Sequence, residues 1–145
     1  MPTDYPFTVF SDNDVDLINT NQWGWSILDI SSAVKYLGLA FTSSGFIQIH
    51  RRNTNNDVDS FATTVTQGAS FKFAISFLSD TSYKYSINGG TTVTVTGAST
   101  VDFDFNDILI GQQRKIVDTG YRNRCNQFML FNEALTDSEL ITLTS

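Results

Sequence analysis

At 145 residues the chain fits a single domain, 1–145, long enough to bury a core without disulfide or metal staples. With 15 Asp and Glu against 9 Lys and Arg, the net charge of −6 excludes a general basic field for nucleic acid or an anionic membrane surface. One cysteine, Cys125, excludes an intrachain disulfide, and with His50 as the lone histidine it leaves no zinc ligand set.

The N-terminal "MPTDYPFTVF" has neither the charged n-region nor the apolar h-region of an export leader, and no stretch reaches the roughly 18 apolar residues of a membrane span. Residues 1–20 read as an N-terminal arm within an aromatic-rich stretch, 1–35, suited to docking on a neighbouring subunit. "SDNDVDLI" places Asp12, Asn13, Asp14 and Asp16 together, similar to the start of an EF-hand loop. Leu17 stands where that loop needs glycine and Trp23 where it needs glutamate, so an EF-hand is rejected.

From residue 23 onward the composition suits strands, being rich in Thr, Ser, Phe, Val and Ile and free of proline. Strands are expected at "WGWSILDI", "YLGLAF", "GFIQIHRR" and "SFATTVT". Trp23 and Trp25, at i and i+2, are expected on one strand face with Gly24 opening the other. As a pair they fit a core or subunit interface better than a sugar platform.

In "FKFAISF" the residues Phe71, Phe73, Ile75 and Phe77 alternate with Lys72, Ala74 and Ser76, the two-residue period of a strand with one buried face. "YKYSINGGTTVTVTG" repeats that period on either side of Asn88-Gly89, a hairpin signal. In "VDFDFNDILIG" the carboxylates of Asp102 and Asp104 project opposite Val101, Phe103 and Phe105, giving an acidic outer sheet face rather than a calcium cradle, with a bend at Asn106 and Asp107 before the strand "DILIGQQ". "CNQFMLF" is a further strand, and Cys125 beside its apolar run reads as a buried small side chain rather than a nucleophile.

The last segment departs from strand pattern. In "ALTDSEL", Thr136 and Glu139 form a T-x-x-E capping box, and Leu135 with Leu140 forms a hydrophobic staple, so one short helix closes the chain. The fold class is therefore all-β: an antiparallel β-sandwich of the jelly-roll kind with one short C-terminal helix.

Two polar segments, 51–60 and 113–124, read as long loops at the sandwich rim, where binding residues usually sit. A sugar needs an aromatic face and hydrogen-bonding side chains. Tyr121, flanked by Arg122 and Asn123, serves equally as a stacking residue or as a tyrosine packed on the sandwich edge. His50, Arg51, Arg52 and Asn53 at a strand end reach the same rim, with a solvated arginine pair as the plain alternative. The glycan-binding candidates are His50, Arg52, Asn53, Asn55, Asp57, Tyr121, Arg122 and Asn123. Asn56, Asp57 and Asp59 are weak calcium candidates, and no other cofactor is expected.

"FMLFNEALTDSEL" resembles the closing strand and helical turn of concanavalin A-like, laminin G-like sandwich domains, and "FKFAISFLSDTSYKYSINGGTTV" and "FNDILIGQQ" look like the strands that precede them. The likeness covers residues 71–145. Within that superfamily the ending "NQFMLFNEALTDSELITLTS" is similar to those of lectin-like modules on bacteriophage tail fibres and other virion appendages. The resemblance implies a binding module on the virion surface, made in the host cytoplasm, that recognises a host surface carbohydrate. Its partners would be that glycan and other virion proteins, with a homo-oligomer in keeping, and with neither nucleic acid nor membrane insertion. The alternative it leaves open is a capsid or tail decoration protein that uses the sandwich for assembly alone.

Catalysis is not expected. Glycoside hydrolases on such sandwiches use paired carboxylates about 5 Å apart, whereas the two glutamates here, Glu133 and Glu139, both lie in the closing segment, and Glu139 belongs to the capping box. The pairs Asp102/Asp104 and Asp57/Asp59 fit a solvated strand face better than a dyad. With one histidine there is no Ser-His-Asp set to assemble.

Overall fold

A computed structural model of the chain describes residues 4–16, 22–29, 31–32, 35–53, 56–98, 104–111 and 124–145, leaving out the side chains of Asn56, Asp57 and Ala62. Ten strands and one helix follow in order: β1 (Phe7–Asp14), β2 (Gln22–Leu28), β3 (Tyr36–Phe41), β4 (Phe46–Arg52), β5 (Asn56–Thr64), β6 (Ser70–Ser79), β7 (Ser82–Ile87), β8 (Val93–Thr96), β9 (Asp107–Ile110), β10 (Arg124–Phe131) and α1 (Asp137–Thr144). They form two five-stranded sheets. The back sheet runs β10-β1-β6-β7-β8 and the front sheet β5-β4-β3-β2-β9, with every pairing antiparallel. The all-β sandwich with a short C-terminal helix is what the alternating sequence leads one to expect.

Alternation decides what each sheet buries. Phe7 and Val9 of β1, Phe71, Phe73, Ile75 and Phe77 of β6 and Tyr83 of β7 face inward, where they meet Trp25, Ile27, Leu37, Leu39, Phe41, Ile47, Ile49 and Phe61 of the front sheet. Burying each of the larger side chains contributes about 2 kcal/mol. Aromatic rings interlock across the gap: Phe61 lies 4.2 Å from Tyr85 between ring centroids, and Phe41 meets Phe71 edge-on at 5.2 Å.

The N-terminal arm is corrected by the structure. Residues 7–14 are β1, paired on one side with β6 and on the other with β10 in the middle of the back sheet. The inward row of β1 turns polar after Val9, because Ser11 Oγ accepts from Trp25 Nε1 at 3.3 Å and from Asn13 Nδ2 at 3.0 Å. That polar continuation hides the strand from a reading based on apolar alternation. The stretch 104–106 is likewise not strand: Phe105 drops into the core beside Tyr5 and Phe7, and the ladder with β2 begins at Asp107.

Asn88 and Gly89 both adopt positive φ, 48° and 70°, and Gly90 N–H donates to Ile87 O at 2.9 Å, so the expected Asn-Gly turn forms as type I′. Thr136 caps α1 by accepting from Glu139 N–H, while the Glu139 carboxylate accepts from Thr136 N–H at 2.7 Å. Leu135 and Leu140 then pack with Phe10 and Ala74, so the helix seals the outer face of the back sheet.

Thr8, fully buried, ties the chain's two ends together. Its hydroxyl donates to Glu133 O at 2.7 Å, accepts from Leu135 N–H at 3.1 Å, and bonds Ser76 Oγ at 2.7 Å. Thr8→Val keeps the shape and strands these partners, so chemical denaturation is expected to show a loss of about 2 to 4 kcal/mol; a loss under 0.5 kcal/mol would show that the clamp is idle. The capping-box hydrogen bonds lower the Glu139 pKa, and Lys84, which also forms an ion pair with Asp137 at 2.9 Å, lowers that of Asp137. Stability from both groups is complete above their ordinary values of about 4.3 and 3.9 and is lost as pH falls through the lowered folded values. Glu139→Ala should therefore melt below the parent at pH 7 and converge with it near pH 2; a gap that persists in acid would contradict this linkage.

Candidate functional site

β4 carries two chemically different faces. Ile47, Ile49 and Arg51 point into the sandwich, while Phe46, Gln48, His50 and Arg52 point out. Arg51, 5% exposed, cannot belong to a solvated pair, and the expectation of a rim arginine is corrected here. Its guanidinium donates from Nε at 3.1 Å and from Nη2 at 2.7 Å to Asp59 Oδ2, and Tyr83 of the other sheet donates its hydroxyl to the same oxygen at 2.6 Å. The guanidinium also sits 5.7 Å over the Tyr83 ring. Burial and the Asp59 carboxylate push the Tyr83 phenol far above its usual range, so it remains a donor.

Asp59, 31% exposed, thus has one carboxylate oxygen engaged by both Arg51 and Tyr83. Among the described residues no three His, Cys, Asp or Glu side chains stand together as a metal set. The segment 51–60 is mostly strand, with β4 reaching Arg52 and β5 starting at Asn56. It is a hairpin, not a long loop. Asn56 and Asp57 are placed on β5 by their backbone alone, Asn53 follows β4 half-buried, and Asn55, Tyr121, Arg122 and Asn123 lie outside the described residues.

The outer face of the front sheet gathers what the sequence left scattered. A register shift between Trp23 and Trp25 places Gly24 in a bulge, so the two tryptophans end on opposite faces. Trp25 is core. Trp23 lies across the outer face over Gly38, where an added Cβ would come within 2.8 Å of its ring and 2.9 Å of Trp25 O. Around it, between ring centroids, Tyr36 meets the indole edge-on at 5.5 Å and His50 stands 4.6 Å away. Trp23 and Tyr36 are buried at 6% and 1% exposure, so they form a floor rather than a stacking surface.

Above that floor runs a row of polar groups on β4. Gln48 Oε1 and His50 Nε2 lie 3.2 Å apart, and since an amide oxygen only accepts, Nε2 carries the proton in this pair. Gln48 Nε2 donates to Ser60 Oγ of β5 at 2.8 Å. Arg52 extends over the Tyr36 ring, 6.0 Å from its centroid, and its Nε is buried without a hydrogen-bond partner among the described residues. Arg52 itself is half-buried, so its guanidinium keeps part of its planar fork at the outer face, a geometry that matches a carboxylate.

Sequence reasoning named His50 and Arg52 but missed Gln48, Ser60 and Tyr36. The available signal was the two-residue period of "FIQIHRR", which separates Arg51 from Arg52 once Ile47 and Ile49 are assigned inward. Elsewhere, Cys125 is half-buried rather than buried as expected, and desolvation raises its thiol pKa.

No known family profile and no curated protein matches the sequence. Solved structures match the fold. The carbohydrate-binding module CBM40 of the Ruminococcus gnavus IT-sialidase, solved with α2,3-sialyllactose, superposes with a TM-score of 0.76 at 17% identity, over 99% of this chain and 85% of that one. The leech intramolecular trans-sialidase matches at 0.78 and 17%, but this chain spans only 24% of its length. The heptameric SAP-like pentraxin of Limulus polyphemus matches at 0.72 and 14%, over 100% of this chain and 72% of that one. The fold is thus that of lectin-like β-sandwiches.

Two variants test this geometry. Asp59→Ala leaves Arg51 buried without its carboxylate and is expected to cost about 3 kcal/mol in urea denaturation; a cost below 1 kcal/mol would show that the ion pair holds nothing. Gly38→Ala forces the Trp23 ring off the sheet, so the tryptophan emission spectrum should move to longer wavelength, and an unchanged spectrum would refute the placement.

Proposed function

We propose that this chain is a non-catalytic carbohydrate-binding module of a bacteriophage particle that recognises acidic glycans on the host surface through the outer face of its front sheet. The observation that carries the reading is Arg52, a half-buried guanidinium over the Tyr36 ring at the outer face, beside the polar row Gln48, His50 and Ser60. A guanidinium beside amide, imidazole and hydroxyl groups matches an acidic sugar, with carboxylate to the arginine and ring hydroxyls to the others. The fold likeness to modules solved with α2,3- and α2,6-sialyllactose supports a sialylated ligand. The virion setting, with tail-fibre or appendage neighbours as partners, rests on the resemblance of the C-terminal segment to phage lectin-like modules.

The alternative role, a capsid or tail decoration element that uses the sandwich for assembly, draws on a different surface, the uncharged edge at β8.

Calorimetric titration with 3′-sialyllactose and with lactose tests the glycan reading. The sialylated sugar should bind and lactose should not, EDTA should leave binding unchanged, and Arg52→Ala should weaken it by about tenfold or more. Equal response to the two sugars, or full affinity in Arg52→Ala, would sink the proposal.

A further inference from the structure

The four sheet edges are not finished alike. β5 carries Asp57 and Asp59 and is paired to β4 through a register shift; β9 begins at Asp107; β10 carries Arg124 and is paired to β1 through a second shift. Charges and bulges of this kind are how sheets resist edge-to-edge pairing. β8 has none of them. From Tyr85 to Val101 the sequence has neither a charged residue nor a proline, the β7–β8 ladder is regular, and Val93 is 43% exposed at an edge with no further strand among the described residues.

We infer that β8 is an interaction edge and that its partner is β8 of a second copy of this chain, joined antiparallel into a continuous ten-stranded back sheet. The sequence of the strand selects the partner. Side chains that face each other across an antiparallel pair must share a face, so a two-fold axis has to pass through a residue rather than between two. With the axis at Thr94, Val93 of each copy stands opposite Val95 of the other on the inner face, and Thr94 meets Thr94 while Thr92 meets Thr96 on the outer face. β-Branched and threonine pairs are favoured in such ladders. Centring on Val95 instead would set Val93 against Gly97 and leave its side chain without a counterpart.

The axis of such a pair is perpendicular to the sheet. Both front sheets therefore lie on one side of the dimer, and, allowing for sheet twist, their outer faces look the same way. A dimer of this form presents two Gln48–His50–Arg52 rows to one surface, so a weak single site gains avidity on a dense glycan layer. The pairing stands on the edge itself; only the gain in avidity rests on the carbohydrate reading. Four-residue strands bury less than a standard interface, so the dimer is weak and forms reversibly.

Sedimentation velocity over a concentration series reaching the millimolar range reads the pairing directly. The parent chain should move from monomer to twice that mass. Thr94→Glu should stay monomeric, since the two carboxylates would face each other across the axis, while within its own chain the new side chain lies opposite Lys84 and folding is spared. Val93→Lys, at an already exposed position, gives a second and independent block. A parent that remains monomeric throughout, or a dimer that survives in both variants, overturns the inference. On a sialylated surface the parent should be retained about 100-fold longer than Thr94→Glu, with equal affinity of the two for soluble 3′-sialyllactose. A dimer that forms without any sugar binding would remove the carbohydrate reading and leave the edge pairing standing.

Discussion

A guanidinium placed between two apolar sheets must find a counter-charge, and that requirement governs the front half of this molecule. Arg51 meets it through Asp59, diagonally across the β4–β5 ladder, with Tyr83 of the back sheet donating to the same carboxylate oxygen. A slip of one residue would turn every side chain of β4 to the other face. Arg51 would then lose its carboxylate, Ile47 and Ile49 would be exposed, and Gln48, His50 and Arg52 would enter the core. The ion pair is thus less a source of net stability than a lock on register. The polar row outside exists because its neighbours inside cannot exchange with it.

The two outer faces of the sandwich are finished differently. On the back sheet, Phe10 and Ala74 lie under Leu135 and Leu140, and the helix end is pinned where Gly89 N–H donates to Thr144 Oγ1 at 3.1 Å and Lys72 Nζ donates to the Ser145 carbonyl. That face is spent on packing. On the front sheet, Trp23, Tyr36, Leu28 and Ala40 make a second small apolar cluster, with the polar ends of β4 arrayed beside it. The front face therefore keeps amide, imidazole and guanidinium groups over an aromatic floor that is itself buried.

Much of this architecture was legible because an antiparallel sandwich writes a period of two into its strands. "FKFAISF" and "YKYSINGG" needed only that rule and the αL preference of Asn-Gly, and α1 needed only its capping box. β1 escaped because Ser11 and Asn13 face inward to satisfy the Trp25 indole, a partner fourteen residues away in sequence that no local window reveals. The tryptophan pair misled because a bulge at Gly24 breaks the period at that very point. Segment 51–60 looked like a loop because its charge is high, yet that charge is what β4 and β5 exchange with each other and with Tyr83.

Taken alone, the sequence determined the all-β class, the strand segments from β2 onward save the first half of β5, the Asn-Gly turn and the capped helix, since each depends on neighbours within a few residues along the chain. It also marked His50 and Arg52, but without telling Arg51 from Arg52 in role. Tertiary structure alone decided which sheet each strand joined, which arginine was buried, and that Gln48, His50, Arg52 and Ser60 share one surface over Trp23 and Tyr36. The physical reason is range: side-chain alternation is a local property of the backbone, whereas the counter-charge of Arg51, the support beneath Trp23 and the openness of the β8 edge are set by strands that only folding brings together.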